Sequence, residues 1–226
     1  NISVDISGNQ TNALSSLALF EEVDRLVGQN HLFKRTILLT KTWAQNEAHI
    51  VGSHQGLLSS YCLRTFVLFI FNAYGSAIKT PLQALYKLCV YLSHFDWSEH
   101  AFGLFGPIIL SKLPKFRVVV DGPTAWPVGV QPLITQQLLQ QYSQVHTTKK
   151  TDEPPVLLKR YLNVIDPANP FNNLGRSVNY ENAYTVRQAF VDGALRLRNL
   201  LHGWINRADS RLLSVATTVD GEVRKY

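Results

Sequence analysis

The sequence predicts a mainly α protein, α+β overall because of one short strand at its start. Three features lead there. Apolar residues recur at three- and four-residue steps through most of the 226 residues. The stretch from Leu57 to Tyr74 is apolar nearly all round, as expected of a helix enclosed by neighbours. The run Ser3-Val4-Asp5-Ile6-Ser7 reads as a strand ending in a carboxylate and gives way at once to helix. A lone strand beside a helical chain points to a sheet whose other strands lie elsewhere, so the chain is expected to be a fragment of a larger protein.

Each element has its own signal. Leu14 to Val27 carries Leu14, Leu17 and Val27 at helical spacing and meets a stop at Gly28. His31 to Ile50 repeats the pattern, begins basic, and places Lys41 on or near its apolar side. Pro81 fits the first turn of a helix over Leu82 to Phe95. Residues 103–132 change texture, with five prolines alternating with glycines around one strand-like run, Phe116 to Val120, and read as an irregular excursion. Gln131 to Tyr142 resumes helix, and Thr147 to Pro155 is the most polar loop. The turn-rich stretch Asp166 to Val178 has the composition of a loop in which something docks. Tyr184 to Trp204 closes the pattern as a helix with interleaved arginines, leaving 205–226 as a C-terminal extension.

Composition bounds the function. Hydrophobic residues at 46% and charged residues at 17% belong to a folded chain rather than a disordered one. The net charge of +6, with basic doublets at Lys34-Arg35, Lys149-Lys150 and Lys159-Arg160, suits a polyanion such as nucleic acid as well as it suits a solvated basic surface. Cys62 and Cys89 sit inside apolar helical patterns without zinc spacing and read as core residues in a reducing, intracellular compartment. No signal segment opens the chain. The apolar run from Leu57 is interrupted by Arg64 and falls short of the ~20 residues a bilayer span needs, so no membrane role is expected. There is no H-E-x-x-H, no Gly-rich phosphate loop and no paired Cys motif, and Gly52-Ser53-His54-Gln55-Gly56 has its serine one place too early for a hydrolase elbow.

Three separated elements carry a resemblance. They are Val4-Asp5-Ile6-Ser7 with Asn9, then Leu38 to Ala44 leading into Gly56-Leu57-Leu58-Ser59-Ser60-Tyr61, and finally Asp166-Pro167 through Asn173-Leu174-Gly175-Arg176-Ser177. In that order they resemble the non-template nucleotidyltransferases of the DNA polymerase β superfamily (poly(A) polymerase and terminal uridylyltransferase-like). The resemblance covers residues 2 to 202, and more narrowly the chain looks like the plant and algal proteins with a poly(A) polymerase/2′-5′-oligoadenylate synthetase substrate-binding domain, to which His31-Leu32-Phe33-Lys34-Arg35 with Asn173 to Val178 is similar. The resemblance implies a helical PAP/OAS1-like central domain over 14–204, preceded over 1–13 by the last strand of a polymerase-β-like palm, with 205–226 turning back toward that palm.

The same resemblance implies a set of roles. Asp5 matches the third of three palm carboxylates that hold two Mg²⁺ or Mn²⁺ ions, which activate the attacking hydroxyl and stabilise the leaving pyrophosphate; a strand-end Asp capping the next helix is the structural alternative. Lys41 matches a lysine that neutralises triphosphate charge, against the alternative of a snorkelling surface lysine. One turn later relatives carry a second lysine where this chain has Gln45. Ser60 and Tyr61 match a Ser-Tyr pair whose hydroxyl reaches phosphate and whose ring stacks on the incoming base, a contact worth about 1–3 kcal/mol. Ser16 replaces a ribose-binding asparagine, and Asp166 matches a polar partner near the base. Asn172 stands where uridine-preferring members often have histidine, which favours ATP over UTP, and Arg176 serves either an ion pair or the substrate phosphates.

The implied function is one part of a template-independent nucleotidyltransferase that adds ATP or UTP to an RNA 3′ end. Because no Asp-x-Asp occurs in the chain, activity would need carboxylates from upstream residues. The competing reading is a catalytically silent homologue that binds RNA or acts as scaffold in a larger assembly, toward which Gln45 and Ser16 lean.

Overall fold

A computed structural model describes the backbone of residues 11–113, 132–142 and 157–222, and the side chains among these from 14 to 203. The architecture is mainly α. Helix α1 spans Thr11–Val27, α2 Leu32–Asn46, α3 Ser60–Tyr74 and α4 Pro81–Ser93. A small hairpin follows, β1 His100–Gly103 and β2 Gly106–Ile109, then α5 Gln136–Tyr142 and the long α6 Tyr180–Glu222. Among the described residues no single helix is long and apolar enough to cross a membrane. The expected strands at 3–7 and 116–120 and the polar loop at 147–155 fall outside the described residues.

Local chemistry explains where the helices begin. Ser59 caps α3 by accepting the Cys62 amide at 3.1 Å. Thr80 caps α4 by accepting from Gln83 at 3.1 Å, with Pro81 in the first turn as expected. Asn179 accepts the Asn182 amide at 2.8 Å and starts α6 at Tyr180, four residues before the expected start at Tyr184. That helix also runs beyond the expected end at Trp204 to Glu222.

Helix α3 is the central element, with eleven of its fifteen residues buried. Phe66 projects from it into an aromatic cluster, 4.8 Å from Phe102, 6.0 Å from Phe190 and 6.3 Å from Trp97 between ring centres. Phe69 extends the cluster to Phe102 at 4.9 Å and Tyr91 at 4.6 Å. Three tertiary elements are thereby joined by edge-to-face rings: α3, the hairpin and α6. Helix α6 closes on α2 and α4 through Gly193, where an added Cβ would stand 2.8 Å from Trp43 and 3.0 Å from Cys89 Sγ. Both cysteines are buried free thiols. Burial pushes Cys89 up to about 12 and raises Cys62 as well, so both are apolar core residues.

The hairpin is a departure from the irregular excursion expected over 103–132. It forms antiparallel with Gly103 opposite Gly106 and only Leu104 and Phe105 between them. Gly106, at φ 125°, supplies the backbone conformation that the tight link requires. The buried Asn72 of α3 fastens its turn, donating from Nδ2 to the Leu104 carbonyl at 3.1 Å and accepting the Ile134 amide at 2.8 Å. Beside β1 runs the segment 162–165: Phe102 donates its amide to the Asn163 carbonyl at 2.8 Å, and Ile165 to the Phe102 carbonyl at 2.9 Å. This pairing fixes the point from which the Asp166 loop departs.

The link between α1 and α2 is unusual. Gly28, Gln29, Asn30 and His31 all have φ between 50° and 61°, one turn of left-handed backbone that disfavours side chains by about 1–2 kcal/mol per residue. Asp24, only 4% exposed, offsets this. Its carboxylate meets His31 Nδ1 at 2.7 Å and the Lys34 amide at 3.2 Å, with Lys34 Nζ 3.5 Å away. Burial works to raise the Asp24 pKa, but these bonds and the Lys34 and His31 charges together hold it below the ordinary value of 3.8. A depressed folded pKa means the unfolded chain takes up the proton first as pH falls. The stabilisation is therefore complete above about 3.8 and is lost as pH drops through the lower folded value. In denaturant titrations, Asp24→Asn is expected to be less stable than wild type at neutral pH, with the gap closing below the carboxylate range. A gap independent of pH would show that the charge of Asp24 is not what holds the link.

Candidate nucleotide-binding site

The five residues Ser16, Tyr61, Asp166, Asn172 and Arg176 come from α1, α3 and the loop before α6, and the fold joins them in one hydrogen-bonded series. Ser16 Oγ donates to the Tyr61 hydroxyl oxygen at 3.2 Å, and the Tyr61 hydroxyl donates to Asp166 Oδ1 at 2.9 Å. Asn172 Nδ2 donates to Asp166 Oδ2 at 2.8 Å, and Arg176 Nη1 donates to Asn172 Oδ1 and, at 3.2 Å, to the Asn173 carbonyl. Asp166 Oδ1 also accepts the Ala168 amide at 2.9 Å, so one buried carboxylate receives three protein donors.

Tyr61 is held from two sides. Its ring lies 6.0 Å from Phe20 at a tilt of 58°, and its hydroxyl is tied to Asp166. Burial, followed by the Asp166 charge, raises the phenol pKa well above its ordinary range of about 10, so the hydroxyl remains a proton donor. The Asp166 loop is built by two further asparagines, Asn163, which sequence reading passed over, and Asn173, which it read only as part of a motif. Asn173 Oδ1 accepts the amides of Val164 at 3.0 Å and Gly175 at 2.9 Å, while its Nδ2 donates to Asn163 Oδ1 at 3.0 Å. Asn163 in turn brackets both the amide and the carbonyl of Arg160 at 2.8 Å. The far end of the loop is fastened to the start of α3: Ser177 Oγ donates to the Leu57 carbonyl at 2.7 Å and the Asn179 amide to the Gly56 carbonyl at 3.1 Å. Gly56 permits this approach, since a Cβ there would stand 2.6 Å from the Asn179 side chain.

Lys41 and Ser60 meet in a neighbouring place. They line a shallow, solvent-open and mostly apolar dent, with room for about one water molecule, together with Ile37, Leu63, Arg64 and Val67 between α2 and α3. Ser60 and Tyr61 are consecutive, so the pocket and the Tyr61–Asp166 series share the first turn of α3. Arg64, one turn beyond Ser60, is the residue that sequence reading passed over except as an interruption of an apolar run. The signal was present: an arginine four residues after a site serine faces the same side of a helix. Among the described residues neither Lys41 nor Arg64 has an ion-pair partner, and both stand with Ser60 at the edge of this dent. Gln45, one turn after Lys41, is exposed and is not among the pocket residues. Asp5 lies outside the described residues, and no group of three His, Cys, Asp or Glu side chains that could hold a metal occurs among the described ones. The described residues therefore do not by themselves form a metal centre.

No curated protein sequence matches the chain. Two solved structures do. One is that of a cytoplasmic RNA terminal U-transferase, at 17% identity over 81% of this chain and 57% of that one, with a TM-score of 0.47. The other is Cid1, described for its RNA terminal uridylyl transferase activity, at 18% identity over 83% of this chain and 56% of that one, with a TM-score of 0.49. The chain thus spans little more than half the length of each. Apart from α1 with its Ser16 and the last turns of α6, both clusters and the helices that carry them lie within residues 27–215, which match the PAP/OAS1 substrate-binding domain, so the chain belongs to that family.

Proposed function

We propose that this chain is the helical, nucleotide-binding part of a template-independent, poly(A) polymerase-like RNA 3′-end nucleotidyltransferase. A nucleoside triphosphate would lie with its base at the Tyr61 ring and its phosphates toward Lys41, Ser60 and Arg64. The observation that supports this is an oriented ring and, among the described residues, two cations without ion-pair partners, on either side of one helix start. In this reading Ser16, in place of the asparagine of relatives, would make the sugar contact, which is weaker or differently arranged than theirs. Asn172 is small and already bonded to Asp166 and Arg176, which leaves adenine room and supports ATP over UTP. The plant and algal affinity rests on the His31–Arg35 and Asn173–Val178 stretches. In this reading Asp5 is one ligand of a Mg²⁺ or Mn²⁺ pair that would activate the RNA hydroxyl, with the remaining carboxylates supplied from outside these 226 residues.

Arg64 compensates for Gln45. The lysine that would stand one turn after Lys41 is replaced by the exposed Gln45, and in this reading Arg64 on α3, across the same dent from Lys41, takes over its charge. Calorimetric titration of the full chain with ATP, UTP and adenosine tests the reading. ATP is expected to bind, a few-fold more tightly than UTP. Arg64→Gln is expected to weaken ATP roughly tenfold, the effect of one charge-assisted contact at a half-exposed site, and to leave adenosine unchanged. Gln45→Lys in that background is expected to restore part of the loss. Tighter UTP binding would remove the argument from Asn172, and no binding of any nucleotide would remove the site.

A further inference from the structure

The described part of α6 begins with two tyrosines that the nucleotide site does not use. Tyr180 is 75% exposed and Tyr184 73%. They stand one helical turn apart on the same face. Tyr161, 51% exposed, leans on Tyr180 edge-on, with ring centres 5.5 Å apart and planes at 67°. Arg187, a further turn along α6, donates Nη2 to the Tyr161 carbonyl at 2.9 Å and pins that loop to the helix. Three neighbouring rings are thus held in solvent on a rigid support, where single exposed apolar residues would need no explanation.

The charge around the rings is predominantly positive, with Glu181 beside Tyr180 and Asp96 near Arg187 as opposing carboxylates. Between 157 and 187 the bases are Lys159, Arg160, Arg176 and Arg187, and the only acids are Asp166, which is buried within the nucleotide site, and the exposed Glu181. Lys159 and Arg160 are exposed and make no ion pair among the described residues. Positive charge alone would suit an acidic protein. Rings at successive positions beside that charge suit a ligand with a repeated flat face and a repeated anion.

We infer that Tyr161, Tyr180 and Tyr184, flanked by Lys159 and Arg160, form a stacking surface for single-stranded RNA. The rings take bases and the cations take the backbone. The chain connects this surface to the nucleotide site, because the segment that follows Tyr161 pairs with β1 and then delivers Asp166. The preference for RNA over another single strand rests on the nucleotidyltransferase reading. The rings and charges stand without it.

The test is fluorescence anisotropy of the full chain with a labelled single-stranded oligoribonucleotide and with its duplex, at several salt concentrations, alongside ATP titration. The single strand is expected to bind better than the duplex. Tyr180→Ala and Tyr184→Ala are each expected to weaken it roughly 5- to 100-fold, with ATP affinity and the salt slope unchanged. Tyr180→Phe should bind as wild type, since the ring and not the hydroxyl is used. Lys159→Gln and Arg160→Gln should each flatten the salt slope by about 0.7. Wild-type affinity in both alanine variants overturns the inference, as does equal binding of duplex. Dimerisation by sedimentation that Tyr180→Ala abolishes also overturns it, because the rings would then meet a second copy. Loss of ATP binding with these RNA effects intact would instead overturn the nucleotide site and leave the surface standing.

Discussion

Asp166→Ala is expected to destabilise the chain by about 3 kcal/mol and to reduce ATP affinity at least tenfold, more than any other single change in the site. The carboxylate accepts from the Tyr61 hydroxyl, the Ala168 amide and Asn172 Nδ2 at 2.8 to 2.9 Å. Truncation leaves all three donors unmatched at a position only 6% exposed, and each buried unmatched donor costs about 1–3 kcal/mol. Partial access of water to Tyr61 and Asn172 keeps the sum toward the lower end. Asp166→Asn separates charge from geometry. An amide can accept through its oxygen at one side only, so its NH₂ must face either Asn172 Nδ2 or the Tyr61 and Ala168 donors. It should therefore recover little of the loss. Thermal denaturation and ATP titration of the two variants decide the matter, and an Asn variant equal to wild type would show that Asp166 is an isolated surface group rather than the hub of the series.

Gly175→Ala is expected to be the most damaging conservative change, lowering stability by about 3 kcal/mol or more. The added Cβ would stand 2.4 Å from the Leu162 carbonyl oxygen and 2.9 Å from its carbon. Backbone atoms have no rotamer by which to retreat, so the strand-like contact between 162–165 and 173–174 must open. Opening it breaks the Leu174 amide bond to the Val164 carbonyl at 2.8 Å and misplaces Asn173, which organises both sides. Asp166 and Asn172 depart from those two edges, so ATP affinity should fall together with stability. Hydrogen exchange at Leu174 and Asp166 would rise in the variant. Unchanged protection there would mean that the segments slide apart without loss of the loop.

The helices were legible because their signals are local. Spacing of apolar residues, Ser59 and Thr80 as caps and Pro81 at a first turn all act within a few residues of where they are read. The hairpin at 100–109 was not, because its strands are four residues long and its pairing gains meaning only beside the segment 162–165, some sixty positions away. The early start of α6 at Tyr180 depends on Asn179, whose capping role is visible only with the loop that delivers it.

The site divides in the same way. Besides Asp5, which lies outside the described residues, the residues named from motif resemblance were Ser16, Lys41, Ser60, Tyr61, Asp166, Asn172 and Arg176, but nothing in their order says that five of them share one hydrogen-bonded series and two share a separate pocket. Arg64 was hidden in an apolar run, and its pairing with Lys41 exists only because α2 packs against α3. By itself the sequence determined a mainly helical chain, where its helices lie, which residues could handle a nucleotide, and a positive surface, since these follow from side-chain type and short-range spacing. Only the tertiary structure decided that Asp166 is the buried hub of those residues, that Arg64 stands across from Lys41, and that three tyrosines share one exposed face. Each of these is a distance between residues far apart in the chain, and packing alone sets such distances.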